Sequence, residues 1–102
     1  MPSPLSSTAP QCYRVYALAD PRTGQPRYVG QTANTLPLRL RDHLRRRHDR
    51  SRKAAWLREV LDAGLQPRIV LLEEFTGSRA TAYERESAWI RQLRDQGHDL
   101  TN

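Results

Sequence analysis

Residues 15–32 read Val15-Tyr16-Ala17-Leu18-Ala19, then Asp20-Pro21-Arg22-Thr23-Gly24-Gln25-Pro26, then Arg27-Tyr28-Val29-Gly30-Gln31-Thr32. Two short apolar runs rich in Val, Leu and Tyr flank a segment marked by Pro and Gly, which predicts a β-hairpin with a longer loop. Pro26 suits the first residue of a strand, and Gly30 allows a close backbone approach or a bulge. The following segment, Leu36-Pro37-Leu38-Arg39-Leu40-Arg41-Asp42-His43-Leu44, carries Leu36, Leu40 and Leu44 at helical spacing, a buried stripe. Asn34 or Thr35 can cap this helix, and Pro37 is tolerated in its first turn. Arg39 and His43 lie four residues apart on one face. They border the leucine stripe and should sit at the rim of the core, facing the Tyr16 and Tyr28 of the hairpin. Two phenols, a guanidinium and an imidazole on adjoining elements are more polar equipment than a small core needs.

The first strand is expected from about Tyr13, behind a Ser- and Pro-rich flexible tail over residues 1–11. A second helix is expected over about residues 52–63, with Ala55, Trp56, Val60 and Leu61 at helical spacing and Gly64 as its C-terminal cap. Past Pro67, Ile69-Val70-Leu71-Leu72 reads as a buried strand that continues through Phe75. Gly77 ends it, Ser78 caps a third helix that runs to Gln96, and Gly97 stops that helix. With no internal repeat and no domain boundary, residues 12–102 form one domain. It is of the α+β class, a small central three-stranded sheet in the order β-β-α-α-β-α with helices packed on it.

The 102 residues are 37% hydrophobic and carry 17 Lys+Arg against 11 Asp+Glu, a formal net charge of +6. That length supports one modest core, and the sign favours a polyanionic partner. Lys53 is the only lysine. Arg forks match phosphates and stack on bases better than Lys, although a base-rich genome would also write Arg codons. One cysteine, Cys12, excludes an internal disulfide or a Cys-based zinc site and fits a reducing cytoplasm. No apolar run approaches a membrane span, and the start shows no secretory signal.

Three features carry candidate chemistry. On the third helix Glu86 falls within the apolar stripe of Ala82, Trp89, Ile90 and Leu93. A carboxylate there is unfavourable unless an arginine pairs with it or a metal binds it. A lone carboxylate fits a Mg²⁺-type site that keeps several waters and takes phosphate oxygens as ligands. Arg39 is either a phosphate clamp or the partner of Asp42 or Glu86 in a salt bridge. The run from Arg45 to Lys53 holds six basic residues in nine: Arg45, Arg46, Arg47, Arg50, Arg52 and Lys53. It is a phosphate-binding surface or a solvated link between helices. Glu84, His48 and His98 read as surface residues.

Val15-Tyr16, Tyr28-Val29-Gly30, Arg39 with His43, Glu86 and the terminal Asn102 together resemble, in kind and order, the GIY-YIG nuclease family. The likeness covers roughly residues 13–102. The first glycine of the family's pattern is replaced here by Arg14, and the isoleucine of its second motif by Val29. The resemblance implies a GIY-YIG-like fold and a metal-dependent endonuclease that hydrolyses DNA phosphodiester bonds. It implies the catalytic set Tyr16, Tyr28, Arg39, His43 and Glu86, with Glu86 holding Mg²⁺ or Mn²⁺ and Gly30 and Asn102 in structural support. One phenol then acts on the attacking water. An unperturbed phenol titrates near pH ~10, so a cation such as Arg39 or the metal has to lower it. His43 is the rival base. Tyr16 is the expected base, with His43 orienting it or accepting its proton, and the sequence leaves that choice open. The alternatives in function are a non-catalytic nucleic-acid-binding module of the same fold, or a catalytic fragment that needs a separate DNA-recognition domain or protein partner.

Overall fold

The computed structural model of the chain describes residues 10–102. The element order is β1 (Gln11–Ala19), β2 (Pro26–Thr32), α1 (Leu36–Arg45), α2 (Arg52–Asp62), β3 (Arg68–Gly77) and α3 (Arg79–Asp95). This is the expected α+β order around a three-stranded sheet. Of the tail expected over residues 1–11, residues 1–9 lie outside the described ones. Gln11 already opens β1, two residues before the expected start.

The sheet is antiparallel throughout, in the order β2-β1-β3, so β1 is central and the hairpin partner and the late strand flank it. Side-chain alternation along β1 divides the core in two. Tyr16 and Leu18 point to one face, where Trp56, Leu57 and Val60 of α2 cover them, with Tyr28, Leu36, Leu40 and Ile69 packed alongside. Val15 and Val29 point to the other, against Leu93 and Leu100, with Trp89 and Ile90 of α3. Both pairings of β1 carry an irregularity. Leu72 is extra opposite Val15 and Tyr16, and Arg27 is extra opposite Leu18 and Ala19. Such bulges bend a strand and re-aim its side chains.

The hairpin loop is pinned from inside. The Asp20 carboxylate, 3% exposed, accepts from the backbone N–H of Arg22, from the Arg22 guanidinium and from Trp56 Nε1 at 3.0 Å. The Arg22 guanidinium beside it holds this carboxyl well below the usual range, because each of these bonds favours the charged form. The outer edge of β2 is closed by the C-terminal segment. Thr101 Oγ1 donates to the Arg27 carbonyl, and the Asn102 amide both accepts from the Val29 N–H (2.9 Å) and donates to the Val29 carbonyl (2.8 Å). A single side chain thus satisfies the outer edge of β2 at the residue between Tyr28 and Gly30.

Three expectations need correction. β3 is an edge strand, not a buried one: Val70 is 44% and Leu71 47% exposed. The apolar run reads alike for a strand covered on both faces and for one that lies at an edge. In α1 Leu36, Leu40 and Leu44 are only half-buried and His43 is the buried residue, at 2% exposure. The helix is rotated so that the imidazole, not the stripe, enters the sheet. In α2 the buried face is Ala54, Trp56, Leu57 and Val60, and Ala55 is exposed. Ser78 caps α3 as expected, its hydroxyl accepting from the Thr81 N–H, and Ser51 caps α2 in the same way by accepting from the Ala54 N–H. Gly64 and Gly97 follow α2 and α3 with φ of 77° and 92°, a left-handed conformation suited to glycine. Among the described residues no helix is long and apolar enough to cross a membrane.

Candidate active site

Tyr16 lies opposite Gly30 in the β1–β2 register, and its ring leans across the space a side chain there would fill. A Cβ on Gly30 would stand 2.6 Å from Tyr16 Cζ, so only glycine admits the ring in this position. The ring is fully buried. Arg39 Nε donates to its hydroxyl oxygen at 2.9 Å, and His43 Nε2 lies 2.6 Å from the same oxygen. Arginine can only donate. Among the described residues the buried phenol proton has His43 Nε2 as its one acceptor, so the bonds run Arg39 to Tyr16 to His43 with the imidazole in the tautomer that carries its proton on Nδ1. One turn of α1 separates Arg39 from His43, which is why one helix face delivers both to the same phenol.

Tyr28 completes the cluster from β2. Its ring centroid lies 5.3 Å from that of His43 in an edge arrangement and 6.5 Å from that of Tyr16. Lys53 Nζ stands 5.0 Å from the centroid of Tyr28, over its face, within the range of a cation–π contact. Lys53 is therefore not part of a solvated run. It comes from the first turn of α2 and is half-buried against the tyrosines. The sequence hid this because a lone Lys at the end of an arginine run reads as one more surface charge.

The cluster's protonation states follow from burial. His43 is pushed down to about 3, first by desolvation and then by the charges of Lys53, Arg39 and Arg46. It is a neutral acceptor at neutral pH. The Tyr16 phenol is raised, because burial outweighs the hydrogen bond and charge of Arg39. This corrects the expectation that Arg39 by itself lowers it. Burial also raises Tyr28, with the Glu86 charge adding to it. Lys53 is lowered by burial and by the neighbouring Arg39. Two half-buried cations thus stand against the phenols, Arg39 on Tyr16 and Lys53 on Tyr28. Among the described residues neither makes an ion pair, so neither Asp42 nor Glu86 takes Arg39 in a salt bridge.

Glu86 is half-buried on α3, and its field reaches both phenols. Burial raises its pKa, against the charge of Arg39 and the backbone N–H of Gln31, which favour the ionised form. It has no ion-pair partner among the described residues. Its neighbour on the helix, Arg85, is committed to Glu73 through Nε and Nη2, with Trp89 Nε1 donating to the same carboxylate. No group of three His, Cys, Asp or Glu side chains converges among the described residues. A desolvated carboxylate without a cation, unaccompanied by other ligands, fits a divalent ion that keeps its waters and is completed by phosphate oxygens.

The fold therefore draws Tyr16, Tyr28, Arg39, His43 and Glu86 into one corner, with Gly30 beneath Tyr16. Asn102 sits at the edge of β2 and not among them. Arg45, Arg46, Arg47, Arg50 and Arg52 are exposed in and around the turn between α1 and α2. Arg58 of α2 ties that turn down by donating to the carbonyls of Arg47 and Asp49. Arg52 lies 3.6 Å from Asp99. Glu84 and His48 are exposed, and His98 is half-buried where the chain leaves α3, its N–H donating to the Leu93 carbonyl. Arg14, where the family pattern has glycine, pairs with Glu74 on β3 and donates to the Asn34 carbonyl, which leaves the cluster undisturbed.

Comparison with models of protein families matches residues 11–99 to the GIY-YIG catalytic domain. No curated protein and no solved structure matches the chain.

Proposed function

This chain belongs to the GIY-YIG catalytic domain family, a family of nucleases, and on that premise we propose that it is a divalent-metal-dependent endonuclease acting on DNA. The observation that carries the reading is the buried chain Arg39–Tyr16–His43 beside a Glu86 without a cation. A structural role would have paired Arg39 with Glu86. Here both are kept apart and half-desolvated, which is unfavourable in the protein alone and is relieved by a phosphate and a cation.

In the reaction, water attacks phosphorus in line with the bond to the leaving alkoxide. One P–O bond forms as the other breaks. The Tyr16 oxygen takes the water proton as its own passes to His43 Nε2, the acceptor already 2.6 Å away. This relay needs no free tyrosinate, in keeping with the raised phenol. Burial chiefly holds His43 down, and the arriving phosphate offsets the charges of Lys53, Arg39 and Arg46 that add to it, so the substrate itself makes the imidazole a better base. Arg39 uses Nε on Tyr16 and keeps its terminal nitrogens for phosphate oxygens, where charge develops. Glu86 would hold the metal, which when bound supplies positive charge to the phosphate. The exposed arginines of the α1–α2 turn bind flanking phosphates without reading sequence.

Plasmid cleavage in Mg²⁺, with and without chelator, tests this. Arg39→Ala should cut kcat by on the order of 100-fold or more, while chelator should stop wild-type cleavage. Binding to DNA with no cutting under any divalent metal would make the chain a binding module instead.

A further inference from the structure

A polar hollow of about 450 Å³ opens next to the cluster and shares Arg39 with it. That volume lies in the range of pockets that take a small ligand. One wall is the end of β2 and the two residues after it, from Gln31 to Asn34. The other is the start of α3, which contributes Arg79 and Tyr83. Arg79 is the first residue of the helix after the Ser78 cap. Arg79, Tyr83 and Glu86 follow i, i+4, i+7 spacing, so one helical stripe carries a guanidinium, a phenol ring and the proposed metal-holding carboxylate in line. At the helical rise this stripe is about 10 Å long.

Three members of the hollow, Arg79, Tyr83 and Gln31, are poorly accounted for by the fold alone. A cation in the first turn opposes the helix dipole, and the first turn of α3 holds no acidic residue to offset it. Among the described residues Arg79 makes no ion pair. Tyr83 is 54% exposed and packs in neither core. The side-chain oxygen of Gln31 is buried without a hydrogen-bond partner among the described residues. An anion at the helix start is favoured by the dipole and by the guanidinium together, and a flat ring beside it offers a stacking surface.

Building on the nuclease reading above, we propose that this hollow is a subsite for one unpaired nucleotide next to the scissile phosphate, with Arg79 and the α3 N-terminus on its phosphate and Tyr83 stacked on its base. A base exposes its face to such a ring only when it is out of the duplex. The subsite therefore favours DNA with a single-stranded stretch at the cut. Because every base has a face to stack, it reads no sequence.

Fluorescence anisotropy in EDTA, where no cutting occurs, tests the subsite with two labelled probes: a short duplex, and the same duplex with a single-stranded extension. The wild-type chain should bind the extended probe more tightly. Tyr83→Ala should weaken that probe alone, by about 5- to 100-fold, with its salt slope unchanged. Tyr83→Phe should keep the preference. Arg79→Ala should lower the salt slope on the extended probe by about one unit. Equal wild-type affinity for the two probes, a preference that survives Tyr83→Ala, one that Tyr83→Phe loses, or an unchanged Arg79→Ala slope overturns the subsite and leaves the nuclease reading standing. Failure of the wild-type chain to bind either probe overturns both.

Discussion

Burial works against the charged form of Glu86, and that sets the sign of what its removal does. A carboxyl whose folded pKa lies above its ordinary 4.5 takes stability from the native state as pH rises through that interval. Glu86→Gln should therefore melt at or above the wild-type temperature while its cleavage in Mg²⁺ disappears. A lower melting temperature would point to a structural partner for the carboxylate and sink its role as metal holder. Tyr16 and His43 make the second prediction at this scale. A base that had to exist as free tyrosinate would give kcat/KM rising past about pH 8. With the phenol raised and the imidazole neutral down to about pH 3, the relay predicts a profile at saturating Mg²⁺ that is flat from about pH 6 to about pH 8. Tyr16→Phe should lower kcat by roughly 100- to 10,000-fold, the usual worth of general-base catalysis, with the ring's packing retained. Near-full activity in that variant would remove Tyr16 from the chemistry.

At the scale of elements, the turn between α1 and α2 does two things. Its far end, at Lys53, belongs to the tyrosine cluster, and its exposed arginines face water. Replacing Arg45, Arg46 and Arg50 by Gln should weaken binding to all DNAs alike and lower the slope of log K against log salt by roughly one unit per lost contact. Arg46 is also one of the charges that depress His43, so the Arg46 change alone should raise that imidazole's pKa, seen by NMR titration. Salt slopes that do not move would reduce the turn to a solvated link. The turn is held by Arg58 from α2 and not by its own arginines, apart from Arg47, which donates to the Leu44 carbonyl. Leaving Arg47 and Arg58 in place keeps this test free of folding effects.

For the whole molecule the buried imidazole couples the site to stability. His43 has an ordinary value of 6.5 and is held at about 3 in the fold. Between these values the unfolded chain binds the proton and the native chain does not, so stability rises with pH. It is complete above about pH 6.5 and is lost as the pH falls toward 3. Asp20 and Glu73 are lowered from 3.8 and 4.5, so their contributions begin to fade only below those values. Glu86 works in the opposite sense above 4.5. The loss of stability as pH falls from about 6.5 to about 5 is thus that of His43, since Glu86 acts in the opposite sense there. The wild-type melting temperature should drop across this interval, and His43→Gln should flatten the drop. Parallel curves for the two proteins would show that His43 is not held neutral by the fold.

Local pattern determined much of this protein. The hairpin, the Ser78 cap, the glycines after α2 and α3 and the order of elements follow from backbone preferences and hydrophobic period, which act over a few residues. The resemblance to the GIY-YIG family rests likewise on residue types in order, and it named Tyr16, Tyr28, Arg39, His43 and Glu86. Three things were decided only by packing. His43 lies inside and the α1 leucines half out, because the rotation of a helix on a sheet is set by what fills the space above Gly30. β3 is an edge strand because its outer neighbour is missing, which no run of apolar residues encodes. Lys53 and Asn102 found their partners 25 and 73 residues away, at Tyr28 and Val29. Side-chain reach across such separations exists only once the sheet has brought the elements together, and the direction of the Tyr16 shift depends on that same burial.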